Sequence, residues 1–172
     1  MIGIDFRCAN IEQREPVSFG KNRVMELLPI LAAEDHVCAC VLLATCNRTE
    51  LYLHTESPVD ALQLLTRAAD IPIETYRPLA VSYTNEQMVR HIMEVAAGLK
   101  SQIFGDDQIV TQMRTALDLA RQAGTTDSIL DSLLRLAVTA GKQIRTETRL
   151  SGVPSSAAAC GVQKALSAFG RA

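Results

Sequence analysis

One cysteine, Cys46, lies in a short polar segment, Thr45-Cys46-Asn47-Arg48, between two apolar runs of the chain. A thiol attacks as its thiolate, which a guanidinium such as that of Arg48 stabilises, and a polar turn keeps the sulfur accessible. Cys46 is therefore a candidate nucleophile. The alternative is a small buried apolar residue, which is our interpretation of the other cysteines, Cys8, Cys38, Cys40 and Cys160.

A thiolate metal site is the second chemistry that the cysteines suggest. Cys38 and Cys40 lie two residues apart in an apolar run, so they share one face of a predicted strand, and Cys46 follows closely. The sequence lacks the paired C-x-x-C spacing of structural zinc modules. This favours two core cysteines and no metal.

Two further features could take part in chemistry or binding. His91 lies at the edge of an apolar helical stripe, where it could be a general acid or a packed core residue. A basic stripe on a later helix could contact a phosphate backbone or form a solvated face, and its members are Arg135, Lys142, Arg145 and Arg149. Sequence position alone leaves both choices open.

The composition predicts a folded α+β protein. The 172 residues are 48% hydrophobic but only 4% aromatic, so the core is built mainly from aliphatic side chains. A net charge of -2 argues against nucleic-acid binding through a general basic coat. The cysteine spacings, the absence of a leader pattern and the absence of an apolar run of roughly 20 residues predict a cytoplasmic protein with free thiols and no membrane span.

The first half of the chain alternates between strand and helix periods. Apolar runs at residues 2–6, 37–44, 50–54 and 79–83 predict strands. Helical stripes follow Ser18 and the Ser57-Pro58 pair, which we interpret as helix starts. The order β-α-β-β-α-β predicts a ferredoxin-like sheet unit over residues 1–84, with Cys46 in its central hairpin.

The second half shows helical patterns only. Capping signals predict helix starts at Thr84, at the acidic pair Asp106-Asp107, and at Asp127. We assign residues 85–150 to a helical part of the same domain. A further helix is predicted from about residue 154. Its apolar residues have no evident partner, and short helices gain most of their stability from tertiary contacts, so we expect residues 151–172 to start a linker helix and the chain to be the front part of a longer protein.

Several ordered groups of residues together resemble the N-terminal domain of glutamyl-tRNA reductase. The matching residues are Thr45 through Tyr52, His91 with Ser101 ten residues later, Gly105 through Ile109, Gln112, and Gly141-Lys142 through Thr148. The letters TCNR alone are a weak match, but the ordered set is specific and extends over almost the whole chain.

The resemblance implies a mechanism in tetrapyrrole biosynthesis. In that family the matching cysteine attacks the ester that joins glutamate to tRNA, and hydride from NADPH reduces the resulting thioester to glutamate-1-semialdehyde. Cys46 then corresponds to the nucleophile and His91 to an activity-supporting catalytic histidine. The other matched positions correspond to substrate contacts, with Arg48 suited to a carboxylate. These are Thr45, Asn47, Arg48, Ser101, Asp106, Asp107, Gln108 and Gln112.

The sequence departs from the family pattern at several places. The segment Asp5-Phe6-Arg7-Cys8-Ala9 replaces the usual Asn-His-Lys-Thr-Ala. Asp106-Asp107-Gln108 replaces Glu-Pro-Gln, which adds a charge that we expect to face the pocket and oppose an anionic substrate, and Lys100 in place of Asp could offset it. No Gly-rich dinucleotide fingerprint follows a predicted strand, so NADPH, required for the full reaction, has no evident site in this chain.

The prediction is therefore the acylation half of a glutamyl-tRNA reductase. Its implied partners are glutamyl-tRNA, an NADPH-binding domain in cis or in trans, and the aminomutase that follows in the pathway. Two alternatives remain: a diverged module that binds a tRNA, a tetrapyrrole or another protein without catalysis, and a thiolate metal site.

Overall fold

The computed structural model describes residues 1–148 and 157–169. The first half contains β1 (Ile2–Asp5), α1 (Ile11–Arg14), a 3-10 turn (Glu15–Val17), α2 (Lys21–Ala32), β2 (Val37–Ala44), β3 (Arg48–Thr55), α3 (Ala61–Ala69), α4 (Ile73–Tyr76) and β4 (Val81–Ser82). The second half contains α5 (Asn85–Ala96), α6 (Gln108–Gln122), α7 (Ser128–Glu147) and α8 (Ala157–Phe169). The α+β class predicted from the composition is confirmed.

In the described residues, four strands form an antiparallel sheet in the order β2-β3-β1-β4. The hairpin of β2 and β3 pairs Leu42 with Leu51, and β1 pairs with both β3 and β4. This is the strand order of the predicted ferredoxin-like unit. The last strand is shorter than the predicted run of residues 79–83, since only Val81 and Ser82 pair with β1.

Helices cover both faces of the sheet, which explains why β2 is apolar on both sides. On one face the Cys40 thiol of β2 lies 3.6 Å from the Leu28 carbonyl oxygen of α2. On the other face His54 of β3 lies 2.5 Å from the Asp127 carboxylate, which precedes α7. Residues 39–43 are consequently all buried. Arg48, Glu50 and Tyr52 of β3, which share the face covered by α5, are buried as well.

The helix starts agree with the capping signals in part. Asp127 caps α7 as predicted, because its carboxylate accepts from the N–H groups of Ile129 and Leu130. Asp107 precedes α6, again as predicted. Thr84 precedes α5 as predicted, but the capping hydrogen bond expected from its side chain is not formed.

Two other helices begin later than predicted. The predicted Ser57-Pro58 start of α3 is wrong, since Asp60 is the N-cap and accepts from the Gln63 N–H at 3.0 Å. A carboxylate at this position caps as well as a serine hydroxyl. Similarly, α2 follows Gly20, because Ser18 closes the preceding 3-10 turn with an N–H bond to the Glu15 carbonyl.

The outer edge of β2 is covered at its middle. The Cys40 N–H donates to the Thr125 carbonyl at 2.7 Å, and the Thr125 hydroxyl donates to the Cys40 carbonyl at 3.2 Å. Thr125 can turn back onto the sheet because Gly124, in the left-handed region with φ +68°, ends α6.

Helices α5 and α7 cross at a glycine. A Cβ atom added to Gly141 of α7 would lie 2.4 Å from the backbone oxygen of Ala96 in α5. Because that oxygen belongs to backbone, the two helices would have to move apart. Gly141 therefore sets how closely α7 approaches the end of α5.

Gly141→Ala is expected to lower the free energy of unfolding by about 1–3 kcal/mol, the usual cost of an overpacked interior. Gly161 of α8 is the matched control, because it is helical and its Cβ would meet nothing within 4 Å. Gly161→Ala should leave stability unchanged or raise it slightly. Urea unfolding measures both, and equal midpoints for the two variants would contradict the close crossing.

No helix within residues 1–148 and 157–169 combines the length and apolar character needed to cross a bilayer.

Candidate active site

The turn between β2 and β3 is organised by Thr45. Its hydroxyl accepts from the N–H groups of Asn47 at 3.2 Å and Arg48 at 3.1 Å, and its own N–H donates to the Arg48 carbonyl at 2.8 Å. These bonds close a tight polar turn. Cys46 lies at its tip, exposed to solvent, as the sequence predicted.

Cys46 opens onto a cavity of about 400 Å³. The hairpin turn forms one wall, and the loop after α5 with the first two turns of α6 forms the other. The cavity therefore joins the sheet part and the helical part of the protein. Its lining residues are Thr45, Cys46, Asn47, Arg48, Ser101, Ile103, Asp106, Gln108, Ile109 and Gln112.

The loop from Gly98 to Asp107 is held in place by backbone contacts. Gly98 adopts φ +77°, and a Cβ there would lie 2.8 Å from the Asp106 carbonyl oxygen. The Gly105 N–H donates to the Gly98 carbonyl at 3.1 Å, and the Arg145 guanidinium of α7 donates to the Gly105 carbonyl. Asp106 itself accepts from the Gln108 N–H at 3.0 Å. These contacts fix the wall of the cavity opposite Cys46.

A buried ionic cluster lies behind the cavity. The Arg48 guanidinium lies 3.0 Å from Glu50 and also donates to the Lys100 carbonyl of the loop. Glu50 in turn lies 2.9 Å from His91 Nε2 of α5 and accepts from the Tyr52 hydroxyl at 2.5 Å. Arg48, Glu50, Tyr52 and His91 are each at most 3% exposed. The cluster thus ties the hairpin to α5 and to the loop.

Glu50 is ionised within this cluster. Burial alone would raise its pKa, but the hydrogen bond from His91, the charge of Arg48 and the hydrogen bond from Tyr52 lower the pKa below its ordinary value. Burial and the Glu50 charge raise the pKa of Tyr52 well above its ordinary value, so the phenol stays neutral and donates. An ionised Glu50 only accepts, so we assign the His91 proton to Nε2.

Sequence reasoning missed Glu50 and Tyr52 as members of a buried cluster. Their spacing could have indicated this, because Arg48, Glu50 and Tyr52 occupy alternate positions of β3 and therefore point to the same face of the sheet. A polar alternating face is usually solvated. Here α5 covers it with His91, which the helical stripe had placed only at the edge of the apolar side.

Two of the predicted catalytic and substrate-contact residues lie outside the cavity lining. His91 contacts the cavity only through Glu50 and Arg48. Asp107, which we expected to face the pocket, instead lies in a neighbouring groove of about 620 Å³. The added charge of Asp107 is therefore directed away from the thiol cavity.

The predicted basic stripe divides in the structure. Lys142 and Arg145 lie in the groove that contains Asp107. Arg135 lies in a different depression and is 3.7 Å from Asp131 on the same helix. Arg149 lies outside the described residues.

The segment after β1 supports the hairpin turn. The Phe6 N–H donates to the Asn47 carbonyl at 3.0 Å, and Asp5 pairs with Arg48 in the register of β1 and β3. Burial opposes ionisation of Asp5, but hydrogen bonds from Arg7 lower its pKa below the ordinary value. The departure from the family pattern at Asp5 and Arg7 is thus an internal ion pair next to the turn.

The remaining cysteines differ in exposure. Cys40 is buried, and burial raises the pKa of its thiol to about 11, as expected for an inert core residue. Cys38 is exposed, so its prediction as a core residue is wrong; the register shift between Val37 and Ala39 breaks the alternation there. Cys8 is half-buried. Over the described ranges, no cluster of three or more His, Cys, Asp or Glu residues could hold a metal ion.

Comparison with known proteins identifies the family. The family model described as "Glutamyl-tRNAGlu reductase, N-terminal domain" matches residues 2–148. The chain belongs to this family. The match covers both the sheet part and the helical part, so both walls of the cavity fall within the family domain.

Relatives of known name agree with this assignment. The domain is 40% identical over 160 residues to a glutamyl-tRNA reductase of Acetivibrio thermocellus, covering 92% of this chain and 48% of the relative. It is 37% identical over 170 residues to one from a Synechococcus strain, covering 96% of this chain and 39% of the relative. The chain thus spans less than half the length of these curated relatives.

A solved structure has the same fold. Glutamyl-tRNA reductase from Methanopyrus kandleri superposes with a TM-score of 0.66 at 30% sequence identity. The match covers 86% of this chain and 34% of that chain.

Proposed function

We propose that this domain carries out the acylation step on glutamyl-tRNA. The Cys46 thiolate attacks the carbonyl carbon of the ester between glutamate and the terminal ribose. A carbon–sulfur bond forms, the carbon–oxygen bond of the ester breaks, and the ribose oxygen leaves and takes up the proton released by the thiol. The products are a glutamyl thioester on Cys46 and free tRNA.

The observation that supports this proposal most strongly is the position of Cys46. An exposed thiol lies at the tip of a fixed turn and borders a cavity lined mainly by polar side chains. A nucleophile must be accessible, and its position must be fixed relative to the substrate. The hydrogen bonds of Thr45 fix the turn that carries Cys46. Cys38, an exposed thiol near the start of β2, does not border this cavity.

The cavity also offers charges that fit a glutamyl group. Its two ionisable groups besides the thiol are Arg48 and Asp106. We propose that Arg48 attracts the side-chain carboxylate of the substrate and that Asp106 accepts from its ammonium group. Ser101, Gln108 and Gln112 supply neutral hydrogen-bonding groups around them. Because Asp107 lies in the neighbouring groove, it does not oppose the substrate carboxylate here.

NADPH does not fit the described residues. Dinucleotide folds bind the pyrophosphate where a parallel strand runs through a Gly-rich turn into a helix. The described sheet is antiparallel, and in the described residues no strand leads through such a turn into a helix. The proposal for this chain therefore ends at the thioester. The NADPH-binding domain and the aminomutase partner stay predictions from the resemblance, and the cytoplasmic location stays a prediction from the cysteine spacings and the absence of a leader pattern.

The proposal is tested by trapping the thioester. Protein incubated with tRNA carrying labelled glutamate should acquire label that neutral hydroxylamine removes, and mass spectrometry should locate it on the peptide with Cys46. Label on another residue would reject Cys46 as the nucleophile, and tRNA that binds without any transfer of glutamate would support a non-catalytic binding module instead.

We further propose that His91 is a positioning residue. It reaches the cavity through Glu50, which holds the Arg48 guanidinium. His91→Leu is expected to raise the half-saturating glutamyl-tRNA concentration roughly tenfold, the effect of losing one hydrogen bond to a charged group. The rate of thioester formation at saturation should change much less, because Cys46 itself is not displaced.

The conservative variant distinguishes this role from a general loss of structure. His91→Gln retains an N–H that can donate to Glu50, so it should restore most of the affinity. A fall in the saturating rate with unchanged half-saturation, equal in both variants, would instead indicate direct participation of His91 in catalysis.

A further inference from the structure

Three cavities meet at the first two turns of α6. Gln112 borders both the thiol cavity and a smaller pocket beside α2, and Gln108 borders both the thiol cavity and the basic groove. Thr111 borders the smaller pocket and the groove. Each cavity therefore shares a lining residue with each of the other two, which places the three side by side along the start of α6.

The smaller pocket is mainly apolar. It has a volume of about 150 Å³, and it is lined by Phe19, Lys21, Val24, Leu42, Ala44, Thr111, Gln112, Thr115, Ala116 and Leu119. A cavity of this size accepts an aromatic ring. Phe19 is half-buried and offers a ring against which a flat ligand can stack, and exposed Lys21 lies at the rim. Thr111, Gln112 and Thr115 add hydrogen-bonding groups to one wall.

The groove on the other side of Thr111 is basic. Arg114, Lys142 and Arg145 line it together with one carboxylate, Asp107. Arg145 is engaged with the Gly105 carbonyl, whereas Arg114 and Lys142 are exposed. Exposed cations in a groove of this kind are suited to phosphate.

We propose that the terminal adenosine of the tRNA binds across these two turns, with its adenine in the Phe19 pocket and its phosphate at Arg114 and Lys142. This rests on the proposed function, because the glutamyl group in the thiol cavity is esterified to that adenosine. The ester, the base and the phosphate all branch from one ribose. The three cavities around Gln108, Thr111 and Gln112 likewise offer a polar, an apolar and a basic site next to one another.

The test compares two glutamyl esters in thioester formation at Cys46. One is glutamyl-tRNA, and the other is glutamic acid α-ethyl ester, which lacks the adenosine. Phe19→Ala, Thr115→Trp and Arg114→Ala should each lower kcat/KM for glutamyl-tRNA by about tenfold, the size of one base-stacking or phosphate contact. None should change kcat/KM for the ethyl ester. Thr115→Trp fills the pocket from its α6 wall, so it tests the base site even if Phe19→Ala disturbs the core.

Matched controls come from α2, the helix that borders the apolar pocket. Ile30 and Arg23 of α2 are exposed and do not line any of the three cavities. Ile30→Ala and Arg23→Ala should leave kcat/KM unchanged for both esters. Equal losses for both esters in the pocket variants, or no loss with glutamyl-tRNA, would overturn the adenosine site.

A binding measurement separates this proposal from the proposed function. Adenosine 5′-monophosphate added to the Cys46→Ala protein should cause saturable NMR shifts at Val24, Leu42 and Thr115, and Thr115→Trp should abolish them. Absence of these shifts would overturn the adenosine site even if the thioester forms. Conversely, saturable shifts in a protein that forms no thioester would retain the adenosine site and reject the acylation.

Discussion

Cys46→Ser is expected to lower thioester formation from glutamyl-tRNA by about a thousandfold or more, the scale of losing a catalytic nucleophile. The thiol is the group that attacks, and a serine hydroxyl at the same turn is a much weaker nucleophile, since no histidine is among the residues that line the cavity to activate it. The expected readout is loss of hydroxylamine-sensitive label. Binding of glutamyl-tRNA should persist, because the Thr45 bonds that shape the turn do not involve the sulfur.

Cys38→Ser is the matched control for this experiment. Both thiols are exposed and lie near opposite ends of β2, but only Cys46 borders the cavity. Cys38→Ser should retain the wild-type rate and label. Label that survives in Cys46→Ser, or that disappears equally in Cys38→Ser, would reject Cys46 as the nucleophile.

Glu50→Gln is expected to lower the free energy of unfolding by about 3–5 kcal/mol, the cost of breaking a buried ion pair by removing one partner. The amide has nearly the same size, so packing is retained, but the buried Arg48 guanidinium loses its counter-charge at 3.0 Å. The Tyr52 hydroxyl and His91 also lose their charged acceptor. The shift of the urea midpoint measures the loss.

An exposed pair of the same chemistry provides the comparison. Arg23 and Glu26 lie 2.9 Å apart on the surface of α2. Glu26→Gln should cost less than about 1 kcal/mol, because water screens an exposed pair. If Glu50→Gln cost no more than Glu26→Gln, the buried cluster would have no special part in stability.

The same carboxylate predicts how stability depends on pH. The pKa of Glu50 in the folded protein lies below its ordinary value of 4.5, so the folded state binds this proton less readily than the unfolded chain does. Its contribution is therefore fully present above pH 4.5 and declines as the pH falls through the folded pKa. The wild-type protein should lose stability in acid more steeply than Glu50→Gln, which lacks this proton site.

The periodicity of apolar residues was sufficient to predict the strands of the sheet and the order in which they pair. Strands β2 and β3 were evident because apolar residues fill one run and alternate in the next, and the polar Thr45–Arg48 segment between them could only be a turn. Exact helix starts were not predictable, because Ser57 and Asp60 are equally good caps and tertiary packing decides between them. The exposure of Cys38 depends on a register shift that the alternation of residue types does not reveal.

The cavity was predictable only in part. A resemblance to known sequences grouped Cys46 with Ser101, Asp106, Gln108 and Gln112, although they are more than fifty residues apart in the chain, and all of them line the cavity. Periodicity could not have done this. The Phe19 pocket and Arg114 were missed, since a pocket between α2 and α6 depends on how those helices pack rather than on any local pattern.

The contact between Thr125 and Cys40 has a consequence for how the sheet behaves toward other chains. An open strand edge offers unpaired N–H and C=O groups to a second sheet, which is a route to aggregation. Here the middle of the β2 edge is already bonded to Thr125, and the opposite edge strand, β4, is only two residues long. Both edge strands of the sheet are thus protected from pairing with another sheet. A loop covers the middle of β2, and β4 is too short to offer a long edge.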